Sequence, residues 1–381
     1  MFNSNHYIPI LKWKRAEQKA LAELKAGTKK QLTPLIQLVM PKPKIIKIDG
    51  KVIKKNPEEQ FEEVLQKFKE SIPTIAETIV TSWGKDPIFI DFSLLYTTFV
   101  KIESSKTILK KSKELGAEFI PVLNTSDEAD IKKAICSFAK ESKNGLCLRL
   151  VCSDLNDTKK LSEVIESFLQ LNNLNPENID LLVDIQNIGD EYPDKYLKYS
   201  TLSQKIPHLL QWRTFIFASG SFPVDLTGYR IDEENLIPRL DWKNWKEQFD
   251  TNSLSRNPSF ADYTIQHPVY KESSQFFAPT TSIKYTTENE WVLAKGKKQK
   301  FELYLVNAKT LADDDCFLGE NFSEGDRYIF QKAKHFEECQ KNPALKKETG
   351  NSELWIRAGI NHHMEYTAYQ ISSLPSNASG F

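Results

Sequence analysis

The chain has 381 residues, and its 51 lysines and arginines balance 51 aspartates and glutamates, so the formal net charge is zero. This length predicts about two domains or one large barrel with an appendage, at roughly 100–200 residues per domain, and the balanced charge argues against a DNA-coating or polybasic membrane protein. The sequence has no run of about 18 apolar residues, no signal-peptide pattern at its start and no CxxC pair among its five cysteines. We therefore expect a cytoplasmic globular protein without a transmembrane helix, zinc ribbon or disulfide framework.

The first 270 residues alternate short apolar runs with polar segments that carry apolar residues at helical spacing. The apolar runs predict eight β-strands: Tyr7–Leu11, Leu32–Val39, Pro87–Phe92, Glu118–Leu123, Leu146–Val151, Asp180–Ile185, Thr214–Ala218 and Asp262–Gln266. The polar segments predict at least six helices: Arg15–Lys25, Phe61–Val80, Thr107–Leu115, Ala129–Lys140, Thr158–Leu171 and Tyr196–Leu210. Eight strands over about 250 residues favour a closed (β/α)8 barrel, of the TIM-barrel type, over an open doubly wound sheet. The absence of a glycine-rich turn after the first strand also argues against a dinucleotide-binding fold.

The seventh connection, after Ala218, is unusually long and contains the helix-like segment Trp242–Phe249. Long connections at the carboxyl ends of strands often carry function. An extra helix that packs across the base of the barrel is the structural alternative.

After Pro268 the alternation stops. The pattern predicts a hairpin of the two strands Ser282–Thr286 and Trp291–Lys295. An amphipathic segment Phe301–Leu311, a charged helix Tyr328–Gln340 and a last segment Trp355–Ser373 follow it. We therefore divide the chain into a barrel of residues 1–270 and a C-terminal α+β extension of residues 271–381 that covers the mouth of the barrel.

Charged residues occur within or at the ends of the apolar strands, at Lys12, Asp91, Arg149, Asp184 and Asp262. In a (β/α)8 barrel the active site lies at the carboxyl ends of the strands. A charge in a buried strand is costly unless it is paired, so Asp91, Arg149 and Asp184 are expected to share a network that includes Lys12. This network is either a structural layer of ion pairs inside the barrel or part of a catalytic or ligand-binding site.

The adjacent histidines His362 and His363, followed by Glu365, form a second candidate cluster. They suit acid–base chemistry or metal binding, but their spacing is not that of a HExxH zinc site. Their side chains point about 100° apart if the segment is a helix, or to opposite faces if it is a strand, so one can reach a site while the other packs inside. Histidines of the protein core are the structural alternative.

Two further segments allow both a structural and a binding interpretation. Phe322–Arg327 predicts a turn and a helix start with Ser323 or Asp326 as the cap, or an anion site at a helix N-terminus next to Arg327. The basic run Lys295–Lys300 is a solvated surface or, with aromatic residues nearby, a nucleic-acid contact.

The chain resembles the "beta protein" family of phages, prophages and bacterial mobile elements. The resemblance rests on five segments: Tyr7–Lys14, Arg256–Pro268, Ser282–Thr286, Phe322–Ile329 and Trp355–His363. Two positions depart from the family pattern, since Ala261 stands where relatives carry glycine and Gln37 where they tend to carry an acidic residue. The missing carboxylate at Gln37 argues against a metal role for that strand.

The resemblance implies a mobile-element or host-defence setting but no reaction. Its recurring segments suggest that the first strand, the last strand and the His-His segment meet in space. A C-terminal extension folded over the barrel mouth would place His362 or His363 opposite Lys12, Asp91, Arg149, Asp184 and Asp262.

Two functions compete on this basis. The first is hydrolysis of a phosphodiester or nucleotide, in which Lys12 and Arg149 hold phosphate while a histidine and an aspartate exchange protons. Asp91, Asp184 and Asp262 also make Mg²⁺ a candidate cofactor, and a metal-independent version stays open. The second is a non-catalytic sensor of a defence or counter-defence system, which recognises a ligand or a partner protein encoded nearby. A structural virion protein is a weaker third hypothesis, because the composition is not fibrous and shows no repeats.

Overall fold

A computed structural model gives the fold, and the structure describes residues 4–43, 46–48, 51–53, 56–189, 194–231, 233–270 and 280–375. Residues 271–279 and 376–381 of the predicted C-terminal extension lie outside the described residues. The strands are β1 (Tyr7–Lys12), β2 (Leu35–Gln37), β3 (Ile46–Ile48), β4 (Lys51–Ile53), β5 (Ile88–Asp91), β6 (Phe119–Asn124), β7 (Leu146–Val151), β8 (Ile179–Asn187), β9 (Thr214–Gly220), β10 (Glu234–Pro238), β11 (Ser259–Asp262), β12 (Thr280–Thr286) and β13 (Glu290–Lys298). The helices are α1 (Arg15–Ala22), α2 (Ala26–Lys29), α3 (Pro57–Trp83), α4 (Thr98–Leu115), α5 (Ala129–Ser142), α6 (Cys152–Leu155), α7 (Thr158–Asn172), α8 (Asp194–Ser203), α9 (Leu240–Thr251), α10 (Leu303–Ala312), α11 (Glu324–Lys341) and α12 (Ser352–Ser372).

Eight of these strands close into a barrel in the order β1-β2-β5-β6-β7-β8-β9-β11, and every neighbouring pair is parallel. The predicted (β/α)8 barrel is therefore confirmed. The strands are apolar on both faces because alternate side chains fill the barrel interior while the others pack under the surrounding helices. The interior is a packed layer that includes Phe89, Leu182 and Tyr263, each at most 2% exposed.

The last barrel strand is displaced from its predicted position. The sequence predicts Asp262–Gln266, whereas the strand is Ser259–Asp262. The carboxylate of Asp262 accepts a hydrogen bond of 2.9 Å from the backbone N–H of Thr264, which has a positive φ of 57°. This local turn ends the strand, because a β-branched residue in the left-handed region cannot continue an extended chain. The prediction for this strand was wrong in all but its first residue.

Two further details differ from the sequence pattern. The predicted helix Arg15–Lys25 ends early, at Ala22, and a separate short helix α2 begins at Ala26. A small antiparallel hairpin of β3 and β4 follows β2. Helix α4 begins at Thr98, well before the predicted Thr107, because the Thr97 hydroxyl caps it by accepting from the N–H of Val100. Capping thus extends the helix over residues without a clear apolar period.

The long connection between β9 and β11 carries β10 and α9. Trp242 and Trp245 on α9 are buried and pack against Phe260 of β11, with ring centroids 5.4 Å from it in both cases. Strand β10 leaves the barrel and pairs with β13. The sequence boundary at residue 270 therefore stays a prediction, since one strand from before it belongs to the second sheet.

The C-terminal part contains the three-stranded antiparallel sheet β10-β13-β12 and helices α10 to α12. The predicted hairpin around residues 287–290 is confirmed. Helix α12 packs along α1 and touches β1 and α2, where Asn361 donates to the carbonyl oxygen of Ala20 and Glu365 accepts from the N–H of Lys25. Within the described ranges, no helix has both the length and the apolar character needed to cross a membrane.

Candidate functional site

The strand registers bring the predicted charges to one face of the barrel. Lys12 at the end of β1 lies next to Gln37 of β2, which in turn lies next to Asp91 of β5. Arg149 and Asp184 stand near the ends of β7 and β8. Since parallel strands end on the same face, side chains that are distant in sequence meet in the barrel interior.

Arg149 is the centre of the first cluster. Its Nη1 donates to Asp91 over 2.9 Å, and its Nη2 forms an ion pair with Asp184. Burial disfavours the charge, but Asp184 and Asp91 hold the pKa of Arg149 above its ordinary value. Gln37 donates to the same Asp91 oxygen over 2.9 Å. An ionised carboxylate at position 37 could only accept hydrogen bonds and would face Asp91 with a like charge, so the Gln37 amide suits this network.

Lys12 lies beside this network. Its ammonium donates to the carbonyl oxygens of His267 and Pro268 over 3.3 and 3.2 Å and lies 4.6 Å from the ring centre of Tyr263. The hydroxyl of Tyr263 donates to Asp184 over 2.5 Å. Burial, only partly offset by Asp184 and Glu17, lowers the pKa of Lys12 to about 8.

Asp262 and His363 form a second cluster that joins the barrel to α12. The Nε2 atom of His363 lies 2.8 Å from Asp262, and Tyr7 donates its hydroxyl to the other carboxylate oxygen over 2.6 Å. On the far side of the ring, His363 Nδ1 lies 2.9 Å from the hydroxyl of Thr286. A neutral imidazole that donates from Nε2 and accepts at Nδ1 satisfies every one of these bonds.

The electrostatics agree with this assignment. Burial lowers the pKa of His363 below its ordinary value in spite of the neighbouring Asp262. Burial would raise the pKa of Asp262, but the contact with His363 and the donors Tyr7 and Thr264 hold it below its ordinary value. At neutral pH the pair is therefore a carboxylate that orients an uncharged imidazole.

His362 points away from the barrel and belongs to a third cluster. Its Nδ1 lies 2.8 Å from Asp326, and its Nε2 lies 2.8 Å from the carbonyl oxygen of Thr286. Tyr285 stacks on the ring with centroids 3.8 Å apart and donates its hydroxyl to Asp326. As expected for neighbours on a helix, one histidine reaches the strand ends while the other packs inside the extension.

The prediction that a helix begins within residues 322–327 is confirmed, and this helix start forms part of the third cluster. Ser323 is the N-cap of α11 and accepts from the N–H of Asp326 over 3.1 Å. The carboxylate of Asp326 is turned inward to His362 and Tyr285. Arg327 pairs instead with Glu324 on the surface, 2.8 Å away. The side chains around this helix start are therefore engaged with one another.

All seven candidate residues are buried: none is more than 5% exposed, and His362 and His363 are 0% exposed. Nor do the described residues fit Mg²⁺, since no group of three acidic, histidine or cysteine side chains among them could hold a metal ion. Asp91 and Asp184 are already paired with a guanidinium, and Asp262 accepts from three donors. A cleft of about 850 Å³ opens beside Lys12, but it is lined by neighbouring residues such as Trp13, Lys14 and Gln266.

Several members of these clusters were missed from the sequence. They are Tyr7, Tyr263 and Thr286, while Asp326 was considered only as a helix cap. The buried charges Arg239 and Asp241 of the β10–α9 segment were missed as well. Tyr7 and Tyr263 belong to apolar segments, where an aromatic residue is indistinguishable from ordinary core. The Arg-x-Asp spacing at 239–241 was the one available signal, since two charges next to buried tryptophans imply a partner.

Comparison with known proteins identifies the sequence family. The profile described as "Beta protein" matches residues 7–369, which is nearly the whole chain. Among solved structures, a mutant tryptophan synthase α-subunit from the hyperthermophile Pyrococcus furiosus is 12% identical, with a TM-score of 0.37, and the match covers 69% of this chain and 89% of that one. A GH138 enzyme that targets the pectin rhamnogalacturonan II is 9% identical, with a TM-score of 0.36, over 81% of this chain and 41% of that one. No curated protein matches the sequence.

Proposed function

The chain belongs to the Beta protein family, and we propose that it is the recognition component of a phage- or mobile-element-associated, defence-type system. In this proposal the C-terminal face of the barrel binds a ligand or a partner protein, and the charged residues beneath that face hold its shape. The mobile-element setting comes from the family resemblance. The non-catalytic role is supported by one structural observation, which is the closure of the charged clusters.

A catalytic group must reach its substrate within hydrogen-bond distance or through one water molecule. Asp91, Asp184 and Asp262 are each at most 1% exposed, and each carboxylate already accepts at least two hydrogen bonds from the protein. Such saturated, buried networks are typical of structural layers in the interior of a fold. The cleft beside them, by contrast, is open to a ligand.

The second candidate function is hydrolysis of a phosphodiester or nucleotide. One observation favours it: the carboxylate of Asp262 orients the neutral imidazole of His363, 2.8 Å away, as in general acid–base pairs. For this reaction α12 would have to move, because His363 is 0% exposed and both its ring nitrogens are engaged.

A turnover assay separates the two functions. The purified chain is incubated with bis(p-nitrophenyl) phosphate and with nucleoside triphosphates, beside an Asp262→Asn variant whose fold is checked by circular dichroism. The recognition proposal expects the same background rate from both proteins. Turnover by the wild type that is lost in a folded Asp262→Asn protein would overturn it in favour of the hydrolase.

A cellular assay tests the recognition role directly. Cells that carry the gene with its native neighbours are challenged with phage, and the chain is tested for co-elution with each neighbouring gene product in gel filtration. We expect protection to require both the chain and a co-eluting partner. Protection by the chain alone would contradict a purely recognising role.

A further inference from the structure

The cleft of about 850 Å³ lies at the carboxyl ends of β1, β2 and β11, where ligands of (β/α)8 barrels bind. Its walls come from the start of α1, the segment after β2, one face of α3, and parts of β12 and α12. Its volume falls in the range of about 300–1,000 Å³ that is typical of small-molecule sites. The C-terminal extension thus completes a cleft that the barrel alone would leave open on one side.

Positive side chains outnumber negative ones in this cleft. The cations are Lys14, Arg15, Lys42 and Lys284, against the carboxylates Glu17 and Glu353. Both carboxylates are engaged: Glu17 accepts from Gln266 over 2.8 Å, and Glu353 pairs with Lys19 over 3.3 Å and with Arg15 over 3.8 Å. In a protein with no net charge, such a local excess attracts an anion.

Lys284 is the cation that points most clearly to a ligand. Its ammonium donates to the carbonyl oxygen of Ile265 over 3.0 Å and lies 4.3 Å from the ring centre of Phe222. Within the described part of the chain it has no carboxylate within ion-pair distance, and burial lowers its pKa to about 8. A ligand anion at this position would supply the missing counter-charge and favour the charged amine.

The rest of the lining combines apolar and aromatic side chains with neutral polar ones, namely Gln18, Ser71, Thr74, Thr78 and Gln266. Trp13, Met40, Phe68 and Ile75 face the cleft from three different elements. This combination suits a ligand with an anionic group at one end and a flat or apolar body at the other.

We propose that this cleft binds an organic phosphate of nucleotide size, with its phosphate at Lys284 and its base against Trp13 and Phe68. This inference specifies the ligand of the proposed recognition function. It rests on that function in one respect, which is that the C-terminal face of the barrel binds the ligand. Free nucleotides and the end of a nucleic-acid strand share this chemistry.

A second basic groove provides the internal comparison. It lies between α4 and α5 on the outside of the barrel, with a volume of about 620 Å³ and four lysines against two carboxylates. There, however, Lys113 pairs with Glu141 over 2.9 Å, and Lys110 is exposed to solvent. Lys110→Met therefore removes one charge from an equally basic groove away from the strand ends.

The test is isothermal titration of the full chain with AMP, GMP, the linear dinucleotide pApA and a short single-stranded DNA, each at low and moderate salt. Adenosine and inorganic phosphate serve as half-ligands. We expect at least one phosphate ester to bind, and Lys284→Met to weaken it by about 10- to 100-fold, as for a lost charge-assisted hydrogen bond. Lys110→Met should leave its affinity within about twofold, since exposed charges are screened.

Three results would overturn the inference: no binding by any phosphate ester, equal losses in the two lysine variants, or full affinity in Lys284→Met. If mononucleotides bind more strongly than the DNA, the ligand of the cleft is a free nucleotide. If the DNA binds more strongly, the ligand is the end of a nucleic-acid strand. Lys284→Met should keep the melting temperature of the wild type within a few degrees, because it removes a poorly solvated charge that no carboxylate among the described residues pairs with. If the cleft does not bind a phosphate ester, the proposed recognition function is not thereby refuted, because phage protection and co-elution test that function separately.

Discussion

The charge balance inside the barrel depends on Arg149, and replacing it with methionine tests whether the network is structural. Arg149 is 5% exposed, and its two partners Asp91 and Asp184 are at most 1% exposed. Arg149→Met keeps most of the volume but leaves both carboxylates without their cation. Removing one partner of a buried ion pair costs about 3–5 kcal/mol, because the remaining charge stays buried. We expect a loss within this range, since donors such as Gln37 and Tyr263 continue to solvate the carboxylates.

The free energy of unfolding is measured by urea titration with circular dichroism. Arg230→Met is the matched control, because Arg230 pairs with Glu233 on the surface with 77% of its side chain exposed. Such an exposed pair contributes at most about 1 kcal/mol. The triple variant Asp91→Asn, Arg149→Met, Asp184→Asn should recover much of the loss, since it removes the stranded charges together with the guanidinium.

Two results would refute this reasoning. The first is a loss below about 1 kcal/mol for Arg149→Met, which would mean that water reaches the carboxylates and that the cluster is accessible. The second is a triple variant as unstable as the sum of its single changes, because coupled charges must behave non-additively.

Three other predictions follow from buried contacts. Burial and the nearby Asp262 raise the pKa of Asp241 to about 7. Between the ordinary pKa of an aspartate and this raised value, the folded state binds more protons than the unfolded chain. Stability therefore falls as the pH rises through about 7. Asp241→Asn should remove about 1 kcal/mol of the loss between about pH 6 and 8, and parallel stability curves would contradict this. Gly325→Ala should destabilise the protein by about 1–3 kcal/mol, because the new Cβ would lie 2.2 Å from a carbonyl oxygen of α12. Gly27→Ala is the control and should not destabilise it, since a Cβ there has no atom within 4 Å. Equal urea midpoints for the two variants would refute the contact. Glu365→Ala should lower the free energy of unfolding by about 1–3 kcal/mol, because it leaves the donors at α2 unpaired. Glu353→Ala, which breaks an exposed surface pair, should lower it by at most about 1 kcal/mol. Similar losses in the two variants would mean that α12 is not held at α2.

The barrel could be predicted because its signal is repeated and local. Each strand is an apolar run flanked by an amphipathic helix, and eight repeats leave few alternative topologies. The same reasoning predicted that Asp91, Arg149 and Asp184 meet, since the ends of parallel strands lie on one face of the barrel. The last strand was misplaced because the turn at Asp262 depends on a side-chain bond to the backbone of Thr264, which an apolar pattern does not record.

The pairing of the histidines could be predicted only in part. Their divergent directions follow from helix geometry, but their partners do not, since Asp326 lies 36 residues and Asp262 101 residues away along the chain. Tyr7 meets Asp262 across 255 residues. Such contacts are set by how the extension docks on the barrel, and the sequence carries no local trace of that geometry.

The segments that carry the family resemblance meet at this docking surface. Tyr7 and His363 share the carboxylate of Asp262, and Thr286 touches both His363 and His362. The remaining segment, Phe322–Ile329, contributes Asp326, which binds His362. Residues that join two parts of a fold in this way are constrained by packing and hydrogen bonding alone, without any reaction. The segments that carry the resemblance therefore form the joint between the C-terminal part and the barrel, and our proposal places ligand binding in the open cleft beside it.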